Sequence, residues 1–260
     1  DLEALAEAAS CLQLPPKKYL IRARRIRDSA PPADAVEHEV GKILFRRGYR
    51  ADLSHPELLL RAVITSGKIV LGLEVARTDR SSFEARRPHL KPFFHPGVLM
   101  PRMARALVNL TQVRAGETLL DPFAGTCGIL IEACLIGVNG VGIEVQPSLV
   151  RGARCNLQGL DCGLLLGDAK RLPLKESSID AAVLDTPYGR SAKIMAASKE
   201  LLLKESLAEL FRVIRPGRRM AIVADRSIEE MIEEVGFVLL QKHTDRVHRS
   251  LTRQIFICGR

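Results

Sequence analysis

Asp121-Pro-Phe-Ala-Gly-Thr-Cys-Gly128 decides how the chain is read. It follows the apolar run Thr118-Leu-Leu and opens the apolar, helix-forming stretch that begins at Ile129. A strand, a glycine-bearing turn and a helix in that order form the βα unit of an open α/β sheet. In such sheets ligands bind at the carboxyl ends of the strands. Gly125 and Gly128 let the backbone approach a ligand closely and turn sharply into the helix. The turn is not GxGxxG, and Asp121 in its first position would repel a pyrophosphate. The loop is therefore a poor NAD or ATP site, and its acidic residue suits a ligand that carries an amine.

Outward from this loop the same rhythm repeats. Strands are expected at residues 118–123, 140–145, 164–167, 181–185, 220–224, 237–243 and 253–258, with helices between the first six. Alternating strands and helices imply right-handed crossovers and a doubly wound, mostly parallel sheet. No helix separates the last two strands, which predicts an antiparallel hairpin at one edge. Glu144 ends the second strand, 23 residues after Asp121, placed to accept hydrogen bonds from two ribose hydroxyls. Asp168 in Gly167-Asp168-Ala169 ends the third, placed to meet an adenine amino group. Three acidic residues at three consecutive strand ends favour S-adenosylmethionine, with Phe123, Ala124, Gly125, Thr126, Gly128 and Ala169 beside them.

The fourth strand ends in Asp185-Thr186-Pro187-Tyr188-Gly189-Arg190-Ser191. Methylating an exocyclic amine requires its N–H groups to be held so that the nitrogen lone pair faces the methyl donor. Asp185 can accept one N–H, and the Thr186 carbonyl, restrained by Pro187, the other. The Tyr188 ring offers a face for an extracted base. Adenine N6 in RNA or DNA, a protein glutamine and a non-catalytic RNA-binding role remain open beside guanine.

Before residue 118 the pattern differs. Residues 19–27 read as a basic strand. From Ala33, the residues Val36, Val40, Ile43 and Leu44 recur at helical spacing, with Gly48 as the stop. Two β-rich runs, 58–65 and 69–76, flank Ser66-Gly67 as a hairpin. The order β-α-β-β describes a small α+β module. Residues 77–92 read as a basic connector carrying Arg77, Arg80, Arg86, Arg87, His89 and Lys91, a candidate for phosphate contact.

Composition agrees. The chain has 260 residues, and 39 Lys+Arg against 30 Asp+Glu give a net charge of +9. Up to Leu110 there are 19 basic and 12 acidic residues, net +7, against 20 and 18, net +2, in the remainder. That asymmetry predicts a polyanionic partner for the first part. No apolar run approaches the ~20 residues of a membrane span, so no membrane partner is expected. The six cysteines form no CxxC and no His pair stands at ligand spacing, so no metal is expected. The cysteines read as small hydrophobes of a reducing, cytoplasmic compartment.

Three stretches, Arg86-Arg-Pro-His-Leu-Lys-Pro-Phe-Phe-His-Pro-Gly97, Asp121–Gly128 and Asp185–Ser191, carry a family resemblance. Residues 90–260 resemble the amino-methyltransferases among the class I enzymes that use S-adenosylmethionine, whose fourth strand ends in Asp/Asn-Pro-Pro-Tyr. The whole chain is similar to archaeal and eukaryal tRNA guanosine N2-methyltransferases acting at tRNA position 10. The resemblance implies a Rossmann-like domain over 98–260, a basic linker over 81–97 and a THUMP-like RNA-binding module over 19–80. Residues 1–18, opening on Asp1 and ending past Pro15-Pro16, are expected to be the stub of a truncated N-terminal ferredoxin-like region. The resemblance implies cofactor binding by Phe94, His95 and Pro96 with Asp121, Glu144 and Asp168, and base binding by Asp185, Thr186, Pro187 and Tyr188. It implies tRNA as partner, and in some members a small zinc-containing activator protein. The connector cations Arg77, Arg80, Arg86, Arg87 and Lys91 are the candidates for the tRNA phosphates, and Arg249 in the last hairpin is either a solvated edge or an RNA-facing lip. The product would be N2-methyl- or N2,N2-dimethylguanosine. Thr186 departs from the family's Pro, adding an N–H and freeing φ.

Overall fold

The computed structural model describes residues 2–26, 29–187, 196–248 and 251–260. It divides into two compact units between Asp79 and Arg80. In the first unit, α1 (Leu2–Cys11) is followed by β1 (Tyr19–Arg25), α2 (Ala33–Arg46), β2 (Leu58–Thr65) and β3 (Lys68–Leu73). Val36, Val40 and Leu44 line one stripe of α2 and are fully buried. Gly48, at φ +87°, ends the helix in the left-handed conformation that a residue with a Cβ adopts only at a cost. β1 pairs parallel with β2, and β2 pairs antiparallel with β3 around Gly67. Leu5 and Ala9 of α1 belong to the same buried cluster as Val36, Leu44 and Leu60. The opening helix thus finds its packing partner within this unit.

The second unit begins with α3 (Ser81–Ala85), a 3-10 turn at Pro88–Leu90 and α4 (Pro101–Leu110). There follow β4 (Thr118–Asp121), α5 (Gly128–Cys134), β5 (Asn139–Glu144), α6 (Pro147–Asn156), β6 (Cys162–Leu166) and β7 (Ile179–Asp185). α7 (Ala196–Val213), β8 (Ile214–Ala224), α8 (Glu229–Val235), β9 (Val238–His248) and β10 (Leu251–Gly259) complete it. The seven-stranded sheet has the order β6-β5-β4-β7-β8-β10-β9. β4 to β8 are parallel, while β10 runs antiparallel to both β8 and β9, the expected closing hairpin. Two apolar layers cover its faces. One includes Leu107, Leu130 and Ala153 of α4, α5 and α6; the other includes Leu207 and Ile232 of α7 and α8. A strand covered on both faces needs no polar side, which is why Ile179-Asp-Ala-Ala-Val-Leu-Asp185 is buried over its first six residues.

Three expectations are corrected. The strand–helix alternation fails between β6 and β7, where the described chain runs as a loop. Arg212 of α7 ties that loop down by donating to the carbonyls of Leu172 and Leu174, so it needs no helix to cover the core. Residues 81–97 are not a free linker, since they pack as part of the second unit. Cys134 and Cys162 form a disulfide bond between α5 and β6, where unpaired cysteines were expected. Gly140 lies between them, and a Cβ there would stand 3.1 and 3.3 Å from the two sulfurs.

The division also relocates the charge. Residues 1–79 hold 13 basic and 11 acidic side chains, net +2, whereas residues 80–260 hold 26 and 19, net +7. The surplus belongs to the second unit.

Candidate active site

From β4 the chain moves outward through β5 to β6, then returns to place β7 on the other side of β4. This reversal opens a crevice at the carboxyl ends of β4 and β7. Asp121 ends β4 and Asp185 ends β7, and both line the cavity that fills the crevice.

The β4–α5 turn forms one wall, contributing Phe123, Ala124, Gly125, Thr126 and Gly128. Its shape is fixed by its own backbone. The Phe123 N–H donates to Asp121 Oδ1 at 3.1 Å, the Ala124 N–H to the Ile143 carbonyl at 2.9 Å, and the Gly125 N–H to Glu144 Oε2 at 3.0 Å. Gly125 takes φ +49° and Cys127 φ +63°, so the turn needs two left-handed residues to enter α5. Opposite lie His95, Pro96, Gly97, Val98 and Leu99.

The carboxyl of Asp121 is fully buried, and burial raises its pKa to about 8, with Asp185 and Glu144 adding repulsion against the Phe123 N–H bond. Glu144 is almost buried, and its two oxygens accept from the Gly125 and Gln146 N–H groups, tying the β4 and β5 loops together. Neither Glu144 nor the buried Ala169 is among the residues that line the cavity. Asp168 ends up more exposed, accepting from the Lys170 N–H at 3.0 Å.

Thr186 occupies its position for a visible reason. Its N–H and its hydroxyl both donate to the Val223 carbonyl of β8, at 3.0 and 2.9 Å. The extra donor relative to Pro is used by the sheet and does not loosen the turn. Thr186, Pro187 and Phe123 line both this cavity and a second one, which continues to Lys199, Leu202, Ala224, Asp225 and Arg226. Tyr188 lies outside the described residues, as does Arg249.

Several basic residues are not where the sequence places them. Arg86 makes a two-pronged pair with Glu132, at 2.7 and 3.2 Å, and stacks on Phe83; it is an internal tie and not a free phosphate contact. Lys91 is mostly enclosed beside Cys127 and Glu132, because the segment that carries it packs down on α5. Arg77 pairs with Glu74 at 2.9 Å and Arg87 with Glu84, both in exposed positions, and Arg80 is exposed. Phe94 is 49% exposed and outside the cavity lining, while its neighbour Phe93 packs against Gly152 of α6.

The sequence reading missed Gly97, Val98, Leu99, Ile129 and Gln146 in the lining, and Asn156 behind it. Asn156 accepts from the Phe93 N–H at 3.0 Å and donates to the carbonyls of Phe93 and Thr126 at 2.9 and 3.1 Å. It joins the two walls of the cavity.

A doubly wound sheet closed by an antiparallel hairpin, with acidic strand ends facing a cavity at the switch point, defines a class I methyltransferase dependent on S-adenosylmethionine. The cavity fits that cofactor: acid lines it at Asp121 and Asp185, complementing a sulfonium and an amine, and the glycine turn leaves room beside the backbone. Residues 88–255 match the family model described as UPF0020, RMKL-like, methyltransferase domain. The tRNA (guanine(10)-N2)-dimethyltransferase of Methanothermobacter thermautotrophicus is 35% identical, covering 100% of this chain and 78% of its own length. That of Pyrococcus abyssi is 32% identical over 92% of this chain and 73% of its own. The crystal structure of TrmN from Thermus thermophilus shares the fold at a TM-score of 0.56 and 24% identity, covering 100% of this chain and 78% of that one. The chain belongs to the UPF0020 family of RMKL-like methyltransferases.

Proposed function

We propose that the protein is a tRNA guanine-N2-methyltransferase that modifies the guanosine at position 10. The observation that carries this reading is the Asp185-Thr186-Pro187 turn: all three residues line the first cavity, and Thr186 and Pro187 also line the second. One suits the cofactor and the other leaves room for a base. The relatives that match over most of their length are named for this activity.

S-adenosylmethionine supplies an electrophilic methyl on a sulfonium. The chain's residues position its acceptor. Asp185 takes one N–H of the guanine amine, the Thr186 carbonyl takes the other, and the Tyr188 ring stacks on the base. An exocyclic amine is too weak an acid to deprotonate first, so Asp185 accepts the proton as the new N–C bond forms. Holding the two partners in line supplies most of the rate enhancement. Asp121 faces the cofactor's charged end, while Glu144 and Asp168 serve its ribose and adenine.

The β-α-β-β stretch of the first unit, from β1 onward, is the THUMP-like module, and exposed Arg77, Arg80 and Arg87 meet tRNA phosphates, with Arg249 as a further candidate from the sequence. A small zinc-containing activator is the partner protein the family resemblance implies; stable co-purification of the two chains tests it.

Tritiated S-adenosylmethionine, unmodified tRNA transcripts and nucleoside analysis test the activity. Label in N2-methyl- or N2,N2-dimethylguanosine, abolished by replacing G10 in the transcript, is the expected result. Label in N6-methyladenosine, or an undiminished rate in Asp185→Ala, overturns it.

A further inference from the structure

Glu132 is the one carboxylate in Gly128-Ile-Leu-Ile-Glu-Ala-Cys134, and its side chain is 1% exposed. Two guanidinium groups already satisfy it: Arg86 at 2.7 Å and Arg105 at 3.0 Å. A third cation, Lys91, is mostly enclosed in the same place. Among the described residues nothing hydrogen-bonds or ion-pairs with its ammonium. Cys127 does not neutralise it, because burial pushes that thiol up to about 12 and keeps it protonated. Three positive charges therefore face one negative charge, and burial draws the Lys91 pKa down from its ordinary value. A cation held in this way is costly unless an anion joins it.

The position of the ammonium says where that anion would come from. Lys91 Nζ lies 3.8 Å from the point that a Cβ on Gly128 would occupy. Gly128 lines the cofactor cavity and has no side chain to screen the ammonium from it. Asp121 and Asp185 line the same cavity. Lys91 is not itself in the lining, but it stands next to Gly128, which is, so a basic group lies close to a cavity whose two strand ends are acidic. The amino-acid portion of S-adenosylmethionine is a zwitterion, with an amine for the acidic side and a carboxylate that the acidic residues would repel.

We propose that Lys91 receives the α-carboxylate of the methionine portion of S-adenosylmethionine, across the opening left by Gly128. The assignment rests on the cofactor identified above. It moves Lys91 from the tRNA surface to the cofactor site, and it explains a cation that Glu132 does not need. The Glu132 cluster then has a second role, holding the segment that carries Lys91 against α5.

Calorimetry on the ligand-free protein tests the proposal with two ligands, S-adenosylhomocysteine and its decarboxylated counterpart, which keeps the amine. A charge-assisted contact predicts that wild type prefers the carboxylated ligand by roughly 10- to 100-fold. Lys91→Met should lose most of that preference by weakening S-adenosylhomocysteine alone, and Lys91→Arg should keep part of it. Equal weakening of both ligands, or of neither, overturns the proposal. A measurement on wild type needs no variant to fold: with lysine Cε labelled, the Lys91 signal should shift with S-adenosylhomocysteine and much less with the decarboxylated ligand. Equal shifts overturn it. Binding of neither ligand would overturn the cofactor assignment itself, whereas binding indifferent to Lys91 overturns this inference alone.

Discussion

Asp121 and Asp185 end neighbouring parallel strands and line one cavity, and the charge on Asp185 raises the cost of ionising Asp121. Burial is the larger cause, and together they bring Asp121 to about 8. Between the ordinary carboxylate pKa of 3.8 and that value the folded protein holds a proton that the unfolded chain has released. Stability of the ligand-free protein should therefore fall as pH rises through this window. Melting temperatures from pH 5 to 8 should decline in wild type and flatten in Asp121→Asn; parallel curves would contradict the assignment.

The same proton gives a binding signature. A sulfonium and an amine favour the ionised carboxyl, so S-adenosylmethionine should release a proton on binding at pH 7. Binding enthalpies in phosphate and in Tris should differ for wild type and agree for Asp121→Asn.

Gly152→Ala tests the wall behind Phe93. Glycine to alanine inside a helix ordinarily stabilises by up to about 1 kcal/mol. Here the added Cβ would meet the Phe93 ring at 2.4 Å, and Asn156 pins the Phe93 backbone. Overpacking of this kind costs about 1–3 kcal/mol. Urea denaturation should show a net loss, accompanied by weaker S-adenosylhomocysteine binding.

Thr186→Val removes a hydroxyl bond to Val223 while sparing the N–H bond to the same carbonyl. The expected cost is about 1 kcal/mol of stability, read from the denaturation midpoint. Binding of S-adenosylhomocysteine should change less than twofold, since neither bond faces the cofactor.

Glu132→Ala leaves Arg86 and Arg105 without their shared carboxylate, and should destabilise by about 3–5 kcal/mol. Arg86→Ala should likewise lower the melting temperature. If Arg86→Ala instead weakened tRNA binding with no thermal effect, its place as an internal tie would be wrong.

Much of the second unit was legible because its signals are local. Apolar strands, glycine turns and acidic strand ends fall in register along the chain, and Asp121 and Asp185 came together as their strand ends implied. The roles of Arg86 and Lys91 were not legible, because a positive charge in a connector carries no mark of its partner. That partner, Glu132, lies 46 residues beyond Arg86. Its own signal was nonetheless present: a lone carboxylate inside Ile-Leu-Ile-Glu-Ala has to be paired if the helix is buried. Asn156 was invisible for a related reason, since its three bonds reach segments distant in sequence. The basic surplus of the first 110 residues lies mainly in residues 80–110, which belong to the second unit, so charge alone does not mark the first unit as the one that meets a polyanion.

The position of β10 between β8 and β9 makes residues 251–259 an interior strand rather than a border of the sheet. During synthesis β8 must wait with a bare edge until β10 has emerged from the ribosome. A chain stopped at residue 250 would not simply be shorter; it would present the row of backbone groups from Arg219 to Ala224 to any passing strand. Premature termination here should therefore yield a sticky, degradation-prone polypeptide instead of a weakened enzyme.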